Sequence, residues 1–201
     1  AAGPTDWLDY YGLGGNDVIR MWMGQAIPGA GADTVEQIPS TDGWRTLSVA
    51  YWDAPAGAVV DLAAGWAQDG WGTTDTLIGV YGVHGGWHDD RFYGDAGSNN
   101  FSSGGGHDTI DGRDGIDSIV LPWLNGQPVT LGGLSITVSI DGRSATITSP
   151  LDARFRLDLV DVERMALDWN QPYLNLSDFI DPRTMAQLGL TGSPGQRWNA
   201  G

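Results

Sequence analysis

Apolar residues in this chain recur at every second position over very short runs and then give way to glycine. From residue 85 to residue 120 the pattern divides without gaps into four nine-residue units, GGWHDDRFY, GDAGSNNFS, SGGGHDTID and GRDGIDSIV. The sixth residue of each is Asp or Asn (Asp90, Asn99, Asp108, Asp117) and the eighth is a large apolar residue (Phe92, Phe101, Ile110, Ile119). A single apolar centre flanked by polar neighbours predicts a very short strand whose middle side chain points inward. The Gly-rich residues before it suit a turn with positive φ. Strands and turns in alternation wind into a two-sided coil, so turns two units, or 18 residues, apart stack on the same edge.

Less regular copies lie upstream. GLGGNDVIR places Asp17 and Ile19 in the sixth and eighth positions, PGAGADTVE places Asp33 and Val35, and GWGTTDTLI places Asp75 and Leu77. In STDGWRTLS, residues 40–48, the sixth position is Arg45 while Gly43 and Leu47 keep the frame, so this turn is expected to bind no metal. Its guanidinium is expected to supply positive charge beside Asp42 or Asp33.

Charge sharpens the picture. The chain has 201 residues, 25 acidic against 10 basic, for a net charge of -15, and it contains no Lys. That disfavours a nucleic-acid partner and anionic membrane surfaces. No stretch approaches a spanning helix in apolar length, so membrane insertion is not expected. An apolar content of 41% supports a real core. All the acidic residues except Glu36 and Glu163 are Asp, a turn and ligand preference rather than a helical one. Cys is absent, which excludes disulfides and thiolate zinc sites, so the fold needs another staple. The opening Ala1-Ala2-Gly3-Pro4 carries no leader pattern, which reads as a processed chain or a piece of something longer.

Stacked turns of this composition form cages of backbone carbonyls and carboxylates. Such a cage suits a hard cation with six to eight oxygen ligands, calcium, better than magnesium with its strict octahedron and retained waters. These units resemble the RTX (hemolysin-type calcium-binding) nonapeptide, with SGGGHDTID and GRDGIDSIV the nearest to its pattern. The resemblance covers roughly residues 1–120 and implies a parallel β-roll in which alternate turns share several Ca2+ ions. Carried over, one site uses Gly85, Trp87 and Asp90 with Gly104, Gly106 and Asp108. A second uses Gly94, Ala96 and Asn99 with Arg113, Gly115 and Asp117, and is expected to be weaker because Asn99 carries no charge. A third joins Gly70, Gly72 and Asp75 to Gly86, His88 and Asp90, across a short turn near Gly79. Asp17 and Asp33 are expected to form a further pair.

The segment LSVAYWDAPAGAVVDLAAGWAQDGWG reads as more coil of the same kind. After Leu121 the pattern changes: LSITVSI and SATITSP alternate around Asp141-Gly142, a hairpin signal. Residues 121–201 are therefore expected to form a mostly antiparallel β cap over the roll of residues 1–120. DPRTMAQLGL is expected to form a short helix capped at Asp181, with a loose tail beyond. The chain is thus expected to be all-β.

For catalysis, His84, His88 and His107 belong to no H-E-x-x-H motif, and no nucleophile elbow, phosphate loop or Cys/His pair appears. Acidic pairs such as Asp89 and Asp90 are too common here to mark a glycosidase. No catalytic constellation is expected, and His88 and His107 read as exposed turn residues. Of the 10 Trp residues, Trp7, Trp22, Trp44, Trp66, Trp71 and Trp87 lie in or beside turns, where aromatic rings can cover coil edges or stack on a sugar or a partner protein. The leading expectation is a calcium-dependent structural and binding module of a secreted or cell-surface bacterial protein, exported by the type I route that the resemblance implies. The alternatives are an adhesive or carbohydrate-binding surface subunit that engages a glycan or a surface protein assembly, and the non-catalytic part of an exported protease or polysaccharide-modifying enzyme.

Overall fold

The computed structural model describes residues 8–39, 46–139, 141–177, 190–191 and 199–200. Among them the chain is all-β, with one 3-10 turn and no α-helix. The strands are β1 (Asp9–Tyr11), β2 (Val18–Met21), β3 (Gly24–Ile27), β4 (Thr34–Gln37), β5 (Leu47–Ala50), β6 (Val59–Asp61), β7 (Trp66–Gln68), β8 (Thr74–Ile78), β9 (Gly82–His84) and β10 (Arg91–Tyr93). They continue with β11 (Asn100–Ser102), β12 (His107–Asp111), β13 (Ser118–Val120), β14 (Ser135–Val138), β15 (Ser144–Ser149), β16 (Asp152–Val160), β17 (Arg164–Ala166) and β18 (Leu174–Asn175). A last short pair, β19 (Leu190–Thr191) and β20 (Asn199–Ala200), is antiparallel and separate.

Two mixed sheets contain the rest. One has eight strands in the order β1-β3-β5-β9-β11-β13-β17-β18, the other ten in the order β14-β15-β16-β12-β10-β6-β7-β8-β4-β2. From β1 to β6, and again from β8 to β13, consecutive strands alternate between the sheets. Where the nine-residue units run in tandem, β10 pairs β12 and β11 pairs β13 in parallel at an offset of 18 residues.

Period-two alternation decides what lies inside. The eighth-position residues Phe92, Phe101, Ile110 and Ile119 are fully buried, and Ile19, Val35, Val60 and Leu77 join them in one apolar cluster. Phe92 and Phe101 come from opposite sheets and stack, centroids 6.3 Å apart with planes 14° from parallel. The sixth residue lies two positions before the eighth and so points the same way. Asp33, Asp75, Asp90, Asn99, Asp108 and Asp117 are accordingly buried.

Two expectations about the coil are corrected. Residues 47–72 are not uniform coil. A reversal at 61–65, where Asp61 O accepts from Gly65 N at 2.9 Å and Asp61 Oδ1 from Ala64 N at 2.9 Å, turns the chain back, so β6, β7 and β8 all stay in the ten-stranded sheet as antiparallel neighbours. The frame of STDGWRTLS is also displaced. Leu47 lies level with Gly24 and Val49 with Ala26, two residues later than the nine-residue frame implies. A slip of two preserves the inside-outside pattern, so alternation by itself does not detect it. Trp7, Asp42, Trp44 and Arg45, and the helix expected from Asp181, lie outside the described residues.

Residues 121–177 continue both sheets. β14 and β15 form the hairpin expected at Asp141-Gly142, with Gly142 at φ +73°. β16 pairs antiparallel with β15 and parallel with β12, while β17 pairs parallel with β13 and antiparallel with β18. Because Phe101 fills the space between the sheets, Phe101→Ala is expected to lower the unfolding free energy by about 3–5 kcal/mol, measured by urea denaturation.

Candidate metal centre

Each buried sixth-position carboxylate caps a backbone N–H of the neighbouring turn. Asp17 N donates to Asp33 Oδ1 at 2.7 Å and Asp33 N to Asp75 Oδ1 at 2.9 Å. Ala58 N donates to Asp90 Oδ1 at 2.7 Å and Asp90 N to Asp108 Oδ1 at 2.8 Å. Before the eight-stranded sheet, Asn99 N donates to Asp117 Oδ1 at 2.7 Å, and Asp117 N to Glu163 Oε2 at 2.7 Å. In all six bonds the later residue accepts from the residue level with it at the start of the neighbouring strand.

The other carboxylate oxygen is often left over. Asp17 Oδ2, Asp33 Oδ2, Asp108 Oδ2 and Asp117 Oδ2 are buried without a hydrogen-bond partner. Glycine keeps space open beside them: a Cβ on Gly12 would meet Asp17 Oδ2 and the Pro28 carbonyl, and one on Gly112 would meet Asp117 Oδ2 and the Asp161 carbonyl. Gly85 and Gly94 stand in the same relation to Asp90 Oδ2 with the Ser103 carbonyl, and to Asn99 Oδ1 with the Gly112 carbonyl. Oxygen-only cradles of this kind fit a hard cation. Among the described residues no three His, Asp or Glu side chains converge as a metal-holding group, so a cation here would take most of its ligands from backbone carbonyls.

Burial makes these carboxyls weak acids, because desolvation penalises the charged form. It raises Asp33, and pushes Asp75 and Asp90 up to about 6, Asp117 to about 7 and Asp108 to about 8, against partial relief from the backbone N–H bonds.

The structure brings together both halves of the first expected site. Gly105 N donates to Gly86 O at 2.9 Å, His107 N donates to Asp89 Oδ1 at 2.8 Å, and a Cβ on Gly104, at φ +81°, would collide with the Gly86 carbonyl. Both Asp90 oxygens are engaged, Oδ2 accepting from Gly86 N at 3.0 Å, and the Gly106 carbonyl accepts from Arg156 N at 2.8 Å. The turns carrying Gly94, Ala96 and Asn99 and carrying Arg113, Gly115 and Asp117 also stack, with Gly115 against Gly97. There the Arg113 guanidinium already occupies the Gly94 carbonyl at 2.7 Å, and it pairs with both Asp61 oxygens at 2.8 Å. Asp17 and Asp33 are adjacent, their turns joined by Gly15 N donating to Ala30 O at 2.9 Å.

The third expected site is not assembled. β6 and β7 separate β8 from β10, so the turn of Gly70, Gly72 and Asp75 does not neighbour that of Gly86, His88 and Asp90. Asp75 instead meets Asp33 and accepts from the Tyr51 hydroxyl at 2.8 Å. The cause is the reversal at residues 61–65, which places β6 and β7 between β8 and β10, so the turn near Gly79 does not bring the two halves side by side.

Several residues escaped sequence reasoning. Glu163 ends a ladder, and DLVDVERMA at residues 158–166 carries it in the sixth position with buried Met165 in the eighth, a usable signal. Ala58 fills the same position in DAPAGAVVD. Asp69 is buried and accepts from Trp71, Gly72 and Thr73 backbone N–H groups at 2.9–3.0 Å. No spacing rule marks Asp61 as the partner of Arg113, 52 residues away. His88 is exposed, and the exposed His107 pairs with Asp158 at 2.8 Å. Trp66 and Trp87 are exposed, whereas Trp71 packs on the core. Comparison with models of known protein families and with curated protein sequences finds no match.

Two outcomes follow from the electrostatics. Carboxyls whose folded pKa is raised stabilise the metal-free fold at low pH, and that contribution is lost as pH rises from about 4 to about 8. Without added metal the chain is therefore expected to melt at a higher temperature at pH 5 than at pH 8, followed by circular dichroism. Arg113→Gln, which leaves Asp61 without its charged partner, is expected to cost about 1–2 kcal/mol in urea unfolding at neutral pH.

Proposed function

We propose that this chain is a calcium-binding β-roll of the RTX type, a module whose folding is completed by Ca2+ and which serves as a structural and binding scaffold. The observation that carries the reading is the set of buried, unpartnered carboxylate oxygens of Asp17, Asp33, Asp108 and Asp117, each in a turn stacked on its neighbour. An oxygen buried in this way is costly unless it is protonated or meets a cation. The parallel pairing of alternate strands at an 18-residue offset supports the same reading, as do the glycine cradles.

When bound, calcium would neutralise the carboxylates and complete their coordination. Two pairs of turns are the leading candidates, those of Asp17 with Asp33 and those of Asp90 with Asp108. On the Asn99 and Asp117 edge Arg113 already donates to the Gly94 carbonyl, one of the expected ligands. Extracellular calcium modules bind at roughly 10⁻⁴ to 10⁻³ M, so a fold of this kind would complete itself outside the cell, in keeping with a secreted or surface location.

Calcium titration followed by far-UV circular dichroism and calorimetry tests the reading. A gain of β signal on adding calcium at pH 7.5, reversed by EDTA, is expected, and Asp108→Asn is expected to weaken binding by roughly tenfold. An unchanged β spectrum in EDTA together with no heat of calcium binding would overturn it.

A further inference from the structure

The outer face of the eight-stranded sheet carries a second feature that the turn chemistry leaves unexplained. Gln25 on β3, Ser48 on β5, Gly82 on β9 and Asn100 on β11 lie level across four neighbouring strands. Gly82 has no side chain, and a Cβ there would collide with Ser48 Oγ, so the row dips at its middle. Two residues further along β9, His84 stands between two indoles. Its ring lies 6.3 Å from that of Trp52 at 60° and 5.2 Å from that of Trp169 at 37°. The result is a groove of about 440 Å³ with a polar floor and aromatic walls, within the range of small-ligand sites.

Three properties define what fits. The floor holds an unmet donor: Gln25 is 5% exposed, and its Nε2 is buried with no hydrogen-bond partner. Such a group is costly unless an acceptor reaches it. The walls remain open, Trp52 being 38% and Trp169 56% exposed, so their ring faces are available for stacking. The lining also carries no charge at neutral pH, since burial pushes His84 down to about 4 and the other lining side chains are amides, hydroxyls and indoles. On a chain of net charge -15 an anionic ligand is repelled, and a lining without a carboxylate offers a cationic one no counter-ion. A pyranose ring has the matching form, with an apolar C–H face for an indole and hydroxyl oxygens at its edge for an amide donor.

We propose that this groove binds a neutral sugar residue of a glycan, stacked against Trp169 and Trp52, with Gln25 Nε2 donating to one of its hydroxyl oxygens. The proposal rests on side chains of the sheet face and not on the calcium reading. Trp22, Trp66, Trp71 and Trp87, singled out by their place near turns, are not part of it.

The test is an array of neutral and acidic oligosaccharides probed with the chain in saturating calcium, its fold monitored by circular dichroism. Titration of the best neutral oligosaccharide, followed by tryptophan fluorescence, then gives the affinity. Binding to at least one neutral glycan is expected, weakened about tenfold by Trp169→Ala or by Trp52→Ala and unchanged by Trp66→Ala. Gln25→Leu, close in size but without the donor, is expected to weaken binding with an unaltered circular dichroism spectrum. A folded chain that binds no neutral glycan would overturn the proposal, as would binding that survives the double substitution of Trp52 and Trp169.

Discussion

The whole architecture depends on carboxylates pointing inward. A strand with period two cannot bury its eighth-position Phe or Ile without also burying the Asp two residues earlier. Asp33, Asp75, Asp90, Asp108 and Asp117 each take a neighbouring turn's N–H on one oxygen, which aligns adjacent strands, and in Asp33, Asp108 and Asp117 the second oxygen is left without a donor. The bonds that set the register of the stack therefore also concentrate negative charge where water does not reach. Protonation or a cation relieves that charge, and the raised carboxyl pKa values express the first route.

The two edges differ in where their acidic side chains lie. On the side of the ten-stranded sheet, Asp17, Asp33 and Asp75 lie level at strand starts, and so do Ala58, Asp90 and Asp108, but across the inserted hairpin Asp75 lies level with Ala67 and Val60 rather than with Asp90. On the other side the matching row reads Gly24, Leu47, Tyr81, Asn99, Asp117 and Glu163, so its acidic part is confined to one end. That end is where Arg113, held at φ +66°, reaches Asp61 and the Gly94 carbonyl. The Arg113 guanidinium is thereby paired within the chain, with both oxygens of Asp61.

The outer sheet face owes its groove to the order of the strands. Parallel strand pairing sets the spacing of strands, and that spacing brings Gln25, Ser48, Gly82 and Asn100 into one row. The groove exists because four residues spread over 75 positions of sequence become neighbours at the distance between strands. Its walls come from further apart still, Trp52 from a turn and Trp169 from beyond β17.

Much of the all-β character was legible in the sequence alone. Alternation named the core residues Phe92, Phe101, Ile110 and Ile119, and the spacing of Asp90, Asn99, Asp108 and Asp117 gave the 18-residue offset, because both are local consequences of a two-residue period and a nine-residue unit. The hairpin at Asp141-Gly142 was legible for the same reason, since its turn chemistry is contained in adjacent residues. The tertiary structure decided which turns meet. The reversal at residues 61–65 separated Asp75 from Asp90 and paired Asp75 with Asp33, and the displaced frame of β5 put Leu47 where Arg45 was expected. It also chose Asp61 for Arg113 and assembled the Trp52, His84 and Trp169 groove. Contacts of that kind depend on how many strands lie between two segments, a property of the folded stack that no local period encodes.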